Sequence, residues 1–172
     1  KHRLVKSDNE IKYVKKAAEL ADKALEKAWK LSHPGEDESN ILSAMQGAIF
    51  SGGGDYPGNE FIIGSGPNAL LCRYFSGRRK LDLIDQLTLE FAGVYRHYHS
   101  ALMRTIPIGK AKNEHKELHD ICLEALQSCE NITLKQIVDH KAITNEILFI
   151  NLVFILPIYL ILDDYNDILK NS

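Results

Sequence analysis

The first part of the chain carries apolar residues three and four positions apart, the spacing of an amphipathic helix. This stripe runs through residues 11–29, with Lys and Glu between its members, until Pro34-Gly35 ends it. Ser7 and Glu10 have the capping-box spacing, in which each side chain accepts a hydrogen bond from the backbone N–H of the other residue. The pattern therefore predicts a long helix that begins at Ser7.

The pattern then changes from helical spacing to the two-residue alternation of strands. A shorter apolar stripe predicts a second helix that starts at Glu36 or Asp37 and ends near Phe50, before three glycines. Phe61-Ile62-Ile63 is predicted to be a short strand. Residues 86–108 alternate on both sides of a turn near residues 92–96, as a β-hairpin requires.

The register of this hairpin decides which side chains can meet. Leu87, Leu89 and Phe91 fall on one face, and Thr88, Glu90 and Ala92 on the other. A turn centred at Tyr95-Arg96 predicts that Glu90 lies opposite Ala101. His99 would then lie diagonally across from Glu90, at roughly 7–8 Å between the backbones. A slip in register would change every partner.

The C-terminal part returns to helical patterns and ends in an apolar run. A third helix is predicted from Asn113 to about Cys129, and the capping-box pair Thr133 and Gln136 predicts the start of a fourth. Residues 147–162 are almost continuously apolar but shorter than the roughly 20 residues that a membrane-spanning helix needs. A buried or interface-forming tail is the favoured interpretation, with membrane association as the alternative.

Composition narrows the function classes. The chain has 172 residues, and 21 Lys and Arg against 23 Asp and Glu give a net charge of -2, which argues against a nucleic-acid partner. The three cysteines form no CxxC pair, so neither a zinc site nor a disulfide scaffold is indicated. The N-terminus lacks the apolar region of a signal peptide. These features favour a cytoplasmic protein.

Two polar segments suggest binding chemistry, each with a simpler alternative. Residues 64–69 fit a dinucleotide-binding fingerprint with alanine in place of its third glycine, but the following hairpin is not the parallel unit that this motif requires. A glycine turn is the preferred interpretation. Arg73, Arg78, Arg79 and Lys80 form a basic cluster that could receive an anionic substrate group or simply face solvent.

Several motifs occur in an order that resembles one protein family. They are Lys6-Ser7 with Glu10-Ile11, then Pro34-Gly35 with Glu38, residues 61–66, residues 90–99, and Met103-Arg104-Thr105 with Ile108-Gly109-Lys110. The chain resembles the pita-bread family of creatinase, prolidase, methionine aminopeptidase and aminopeptidase P. It looks most like the branch of ectoine hydrolases and bacterial Xaa-Pro peptidase-like proteins.

The resemblance implies a fold and a domain organisation. The expected fold is α+β, an incomplete pita-bread (creatinase/aminopeptidase) domain in which helices pack on a curved, mainly antiparallel sheet. Residues 1–146 would form this partial domain, and residues 147–172 an apolar C-terminal tail that is buried or forms an interface. A complete family domain has two related halves, and the resemblance covers the first half and the start of the second.

The resemblance also implies catalytic residues. Family peptidases bind two divalent metals, partly through two hairpin aspartates. The corresponding residues are Glu90 and Ala101, so we expect no metal and no other cofactor. In the ectoine-hydrolase-like branch, a glutamate at the first of these positions acts without a metal. Glu90 would then be the nucleophile or base, and His99 the acid-base partner.

Three further residues are expected to bind substrate, namely Arg73, Tyr98 and Arg104. Arg73 occupies the place of a substrate-side histidine in the family, and a guanidinium there could hold a substrate carboxylate but not transfer a proton. The expected substrate is a small amino-acid-like molecule or a peptide, and the expected reaction is hydrolysis of a C–N bond.

Truncation leaves two hypotheses open. The first is an Xaa-Pro peptidase-like or ectoine-hydrolase-like enzyme, metal-independent and weakened or inactivated by the loss of the second half. The alternative is a non-catalytic half-domain that acts through homo-oligomerisation or partner binding.

Overall fold

The computed structural model describes residues 5–70 and 78–139, without the side chains of residue 70 and residues 132–139. The chain divides into two compact units. One is Lys6–Ala111, and the other combines Lys1–Val5 with Lys112–Ser172. Within the described ranges, no helix is long and apolar enough to cross a bilayer. The predicted tail of residues 147–172, with its boundary at residue 146, lies outside the described residues.

Helix α1 spans Asp8–Leu31 and begins as predicted. The N–H of Ser7 donates to the Glu10 carboxylate at 2.7 Å, and the Glu10 N–H donates to the Ser7 hydroxyl at 3.4 Å, so the capping box is complete. The buried face of α1 consists mainly of small residues: Ala17, Leu20, Ala21, Ala24 and Ala28. Small side chains allow the sheet to approach the helix closely. A Cβ added at Gly93 would lie only 2.0 Å from the Ala17 carbonyl oxygen.

Helix α2 spans Glu38–Ser51. Its predicted start is confirmed, because the Asp37 side chain caps the helix by accepting the Ser39 N–H at 2.8 Å. Ile41, Met45 and Ile49 are buried against α1 and the sheet.

Three antiparallel strands form the sheet, in the order β1-β2-β3. Strand β1 is Ile62–Ser65, β2 is Asp85–Tyr95 and β3 is Tyr98–Ile108. A short 3₁₀ helix, Gly66–Leu70, follows β1, and the positive φ of Gly66, +53°, fits the predicted glycine turn. The α+β fold and the antiparallel sheet are confirmed.

The hairpin turn lies one residue further along than predicted. Arg96 and His97 form a two-residue turn with φ of +52° and +65°, and the Asp55 carboxylate accepts the His97 N–H at 3.1 Å. As a result, Glu90 pairs with Met103 and not with the predicted Ala101. The slip is two residues in the pairing, so each side chain keeps its predicted face.

The two faces of the sheet have different surroundings. Leu87, Leu89 and Phe91 are buried in the core against α1 and α2, as the alternation predicts. We call the opposite side the outer face. It carries Ile62 and Gly64 of β1, Thr88, Glu90 and Ala92 of β2, and His99, Ala101, Met103 and Thr105 of β3.

In the second unit, helix α3 spans Asn113–Asp139 without interruption. Its start at Asn113 is as predicted, but the fourth helix expected at Thr133 does not exist as a separate element. Residues 130–136 include no Gly or Pro to end the preceding helix, so the capping-box spacing there lies inside a continuous helix.

Candidate active site on the outer face

Glu90 occupies the middle of the central strand, with Ile62 beside it on β1 and Met103 beside it on β3. Its side chain is half-buried, and no described residue forms a hydrogen bond or ion pair with its carboxylate. Ile62 is buried, whereas Met103 is 57% exposed. The Glu90 carboxylate is therefore the hydrogen-bond acceptor in a row that otherwise consists of the apolar side chains of Ile62 and Met103.

The neighbours of Glu90 on the outer face are small on one side and closely covered on the other. Ala92 and Ala101 pair with each other and present only methyl groups. On the opposite side, a Cβ at Gly64 would lie 2.6 Å from the Asn68 carbonyl oxygen, so the 3₁₀ helix passes directly over that position. Gly64 pairs with Thr88, two residues from Glu90. The 3₁₀ helix therefore bounds the outer face close to Glu90.

The described residues do not fit a two-metal site. Such a site needs several carboxylate or imidazole ligands, including bridging carboxylates. Among the described residues of the outer face, Glu90 is the one carboxylate. Ala101 stands at the second metal-ligand position that the resemblance implies, and its methyl group cannot bind a metal. Across the described ranges, no group of three or more His, Cys, Asp or Glu side chains is arranged to hold a metal ion.

His99 shares the outer face with Glu90 but is distant from it, contrary to the predicted diagonal contact. His99 pairs with Val94, four positions from Glu90, which is about 13 Å along the strand. Its Nε2 accepts the Gly58 N–H at 2.8 Å, and its Nδ1 lies 2.9 Å from the His97 carbonyl oxygen. Nδ1 must donate in that contact, so we assign the neutral Nδ1–H tautomer. His99 links the hairpin to the loop at Gly58 and cannot exchange a proton directly with Glu90.

Tyr98 lies on the helix side of the sheet, opposite to Glu90. Its hydroxyl donates to the Glu10 carboxylate at 2.9 Å, and its ring contacts Tyr13 with centroids 5.7 Å apart. The hydrogen bond to Glu10 raises the pKa of Tyr98. The same bond, together with stronger contributions from Ser7, lowers the pKa of Glu10. Tyr98 joins the hairpin to the start of α1, and it does not line the outer face.

Arg104 is also on the helix side, where it pairs with Leu89 and is 9% exposed. One guanidinium nitrogen of Arg104 donates to the Met103 carbonyl oxygen at 2.6 Å, and no described residue forms a hydrogen bond with the buried Nε. Burial lowers the pKa of Arg104, and the nearby Asp22 of α1 opposes that shift. Arg104, which was predicted to bind substrate, therefore lies on the opposite side of the sheet from Glu90. Arg73 lies outside the described residues.

A buried polar cluster that the sequence analysis missed joins the start of α2 to the end of β1 and the start of β2, which lie at the same end of the sheet. Glu38 is fully buried and accepts a hydrogen bond of 2.5 Å from the Ser65 hydroxyl. Arg79 donates to Ser65 at 2.8 Å and forms ion pairs with Asp82 and Asp85. Thus the Arg79 guanidinium is neutralised within the fold and is not available to an anionic substrate. The sequence offered only Glu38, close to Pro34-Gly35, as a sign of this cluster. Its partners Ser65 and Arg79 lie 27 and 41 residues further along the chain, so no local pattern connects them.

Asp85 is the buried carboxylate of this cluster, with a side chain 4% exposed. Burial by itself raises the pKa of Asp85. Hydrogen bonds from Arg79 and from the N–H groups of Asp82 and Gln86 outweigh burial and lower its pKa below the usual 3.8. The cluster therefore stabilises an ionised Asp85 in the folded protein.

Comparison with known proteins agrees with this architecture. Residues 12–148 match the model of metallopeptidase family M24. The chain is 31% identical to the Xaa-Pro dipeptidase of Pyrococcus horikoshii over 123 residues, which are 72% of this chain and 35% of that protein. The chain thus spans about a third of the length of this relative.

Solved structures show the same similarity. The prolidase of Pyrococcus furiosus superposes with a TM-score of 0.69 at 28% identity, covering 73% of this chain and 37% of the prolidase. The X-Pro aminopeptidase of Thermotoga maritima gives a TM-score of 0.66 at 27% identity, covering 73% of this chain and 35% of the aminopeptidase. The chain belongs to metallopeptidase family M24, and its described part is a partial pita-bread domain like those of prolidase and aminopeptidase P.

Proposed function

We propose that this chain is a hydrolase of C–N bonds in small amino-acid-like or peptide substrates, with Glu90 as the reacting carboxylate. The observation that carries the proposal is the position of Glu90, half-buried at the centre of the outer face with no partner among the described residues. A carboxylate without a structural partner can accept a proton or attack a carbonyl carbon.

Two observations support this substrate class: the names of the relatives and the apolar side chains around Glu90 on the outer face. The relatives include an Xaa-Pro dipeptidase and an X-Pro aminopeptidase, which by their names act on the amide bond to a proline nitrogen. Ile62 and Met103 flank Glu90 with apolar surface, and the neighbouring Ala92 and Ala101 present only methyl groups. An Xaa-Pro dipeptide, which has a compact apolar ring, suits this surface.

Glu90 acts as a general base in the simplest mechanism. Its carboxylate takes a proton from water, the water oxygen attacks the scissile carbonyl carbon, and a tetrahedral intermediate forms. The C–N bond then breaks, and the leaving nitrogen takes the proton that Glu90 received. One water is consumed and Glu90 is regenerated. We propose that this cycle is independent of metal, because Ala101 cannot supply the second hairpin ligand.

The test is hydrolysis of Ala-Pro by the full chain, comparing Glu90→Gln with Glu117→Gln. Glu117 is an exposed glutamate of α3, so it controls for loss of one charge. Loss of a general base lowers kcat by about 10²–10⁴-fold. We expect such a loss for Glu90→Gln, an unchanged rate for Glu117→Gln, and melting temperatures within a few degrees of each other. A Glu90→Gln variant with the wild-type rate would contradict the proposal.

The alternative, a non-catalytic half-domain, is favoured by one observation. Among the described residues of the outer face, Glu90 is the one carboxylate, and His99 lies too far along the strand to act as its acid-base partner. If the wild-type chain hydrolyses no Xaa-Pro dipeptide above the buffer rate, this alternative replaces the hydrolase. The cytoplasmic location remains a prediction from the sequence.

A further inference from the structure

The buried polar cluster lies directly before the 3₁₀ helix that bounds the outer face. Ser65, a member of the cluster, is the last residue of β1, and its fully buried side chain is on the helix side of the sheet. The next residue, Gly66, has a φ of +53° and begins the 3₁₀ helix. The chain turns back here, because the Asn68 carbonyl oxygen lies over Gly64 on the outer face. This turn therefore connects the cluster on one side of the sheet to the 3₁₀ helix on the other side.

The Ser65 hydroxyl is held by two charged groups. It donates to the Glu38 carboxylate at 2.5 Å and accepts from the Arg79 guanidinium at 2.8 Å. The other oxygen of Glu38 accepts the Arg79 backbone N–H at 3.3 Å. Glu38 is fully buried at the start of α2, and hydrogen bonds to charged groups are stronger than those between neutral groups. The end of β1 is therefore fixed both to α2 and to the segment that precedes β2.

Gly66 packs directly on the ion pair of the cluster. A Cβ at Gly66 would lie 3.0 Å from the guanidinium carbon of Arg79 and 3.1 Å from a carboxylate oxygen of Asp85. The first residue of the 3₁₀ helix therefore rests against the ion pair between Arg79 and Asp85. Glycine suits this position for two reasons, because it adopts a positive φ without strain and has no side chain to displace the pair.

The backbone around Arg79 is fixed as firmly as its side chain. The Glu38 N–H donates to the Arg79 carbonyl oxygen at 3.0 Å, and the Leu81 N–H donates to the Glu36 carbonyl oxygen at 2.8 Å. The Gly35 N–H donates to the Leu81 carbonyl oxygen at 2.7 Å, and the Leu81 side chain is buried in the core. Arg79 is therefore a well-anchored support for the start of the 3₁₀ helix.

We propose that Glu38, Ser65 and Arg79 are positioning residues for the candidate active site, because they hold the 3₁₀ helix in place over Gly64. The row of Gly64 lies two residues from Glu90 along β2, which is about 7 Å. A displacement of the helix therefore changes the surface that a substrate at Glu90 contacts. The three residues act through the helix, since their side chains meet on the opposite side of the sheet from Glu90. Their effect on substrate rests on the proposed function, whereas their support of the helix does not.

Hydrogen exchange of the full chain tests the support of the helix. Ser65→Ala removes the hydroxyl, whereas Gly66→Ala keeps it but places a Cβ against the ion pair. A hydrogen bond to a charged group changes a local opening equilibrium by about 10- to 100-fold, so both variants should speed amide exchange in the 3₁₀ helix at least about tenfold. Ile49→Val is the control, because Ile49 is buried in α2 about 16 Å from Glu38 along the helix. Unchanged exchange in both variants, or equal acceleration by Ile49→Val, would overturn the proposal.

Hydrolysis of Ala-Pro by the same proteins separates positioning from stability. A displaced helix weakens substrate binding, so Ser65→Ala and Gly66→Ala should raise KM at least about fivefold with kcat within about twofold. A loss of folded protein instead lowers the apparent kcat at an unchanged KM, and Ile49→Val should show at most that effect. An unchanged KM in both variants would mean that the cluster only stabilises the fold, and would overturn the proposal. A wild type without activity would contradict the proposed function instead, and hydrogen exchange would still decide whether the cluster supports the helix.

Discussion

Replacement of Asp85 by asparagine should reveal how much the buried polar cluster stabilises the fold. Asp85 accepts the Asp82 N–H at 3.0 Å through one oxygen and the Gln86 N–H at 2.9 Å through the other, and it pairs with Arg79. Asparagine has the same shape but only one acceptor oxygen. In Asp85→Asn the amide NH₂ must therefore face a donor, and Arg79 loses its buried partner.

The size of the effect follows from burial. Breaking a buried ion pair lowers the free energy of unfolding by about 3–5 kcal/mol. Because asparagine has the same shape as aspartate, we expect a loss near the lower value. At a urea dependence of about 1.5 kcal/mol/M, a loss of about 3 kcal/mol lowers the unfolding midpoint by about 2 M. The matched control is Asp82→Asn, because Asp82 also pairs with Arg79 but has a side chain 69% exposed. An exposed pair contributes at most about 1 kcal/mol.

The pH dependence gives a second signature. The pKa of Asp85 is lower in the folded protein than in the unfolded chain, where it is near 3.8. The stabilisation by ionised Asp85 is therefore complete above about pH 5, and it is lost as the pH falls through the folded-state pKa. Urea unfolding of wild type and Asp85→Asn should differ most near neutral pH and converge below pH 4. Equal losses for Asp82→Asn and Asp85→Asn, or a pH-independent difference, would refute this account.

Three other substitutions test the packing and the outer face. Gly93→Ala should destabilise the protein strongly, by more than Asp85→Asn in urea unfolding, because its Cβ would lie 2.0 Å from an α1 carbonyl oxygen. Gly47→Ala, in α2 with nothing within 4 Å, should raise stability by about 0.5–1 kcal/mol in the same measurement. His99→Phe should speed hydrogen exchange at the Gly58 amide while leaving kcat within about threefold; a loss of kcat as large as that of Glu90→Gln would show that His99 takes part in the reaction.

The elements of the fold could be predicted because their signals are local. Ser7 and Glu10 identify the start of α1, and the alternation from residue 86 to 108 identifies the hairpin and its buried face. The same alternation assigns Tyr98 and Arg104 to the helix side. Strand periodicity alone therefore indicates that these two predicted substrate-binding residues lie on the opposite side of the sheet from Glu90.

The hairpin register could not be predicted from local sequence. Arg96 and His97 adopt positive φ angles without the Asn-Gly signature that normally indicates such a turn. The Asp55 carboxylate that binds the turn lies 42 residues earlier in the chain. The buried polar cluster could not be predicted from local sequence either, because Glu38 and Arg79 come into contact only in the folded chain. Contacts of this kind leave no spacing pattern in the sequence.

The most direct test of the central claim is the ratio of kcat/KM for Ala-Pro between the wild type and Glu90→Gln, measured with excess EDTA present. If Glu90 is the reacting group and acts without a metal, the wild type stays active in EDTA and the ratio is at least 100. A wild type that loses its activity in EDTA, or a ratio near one, would contradict the claim.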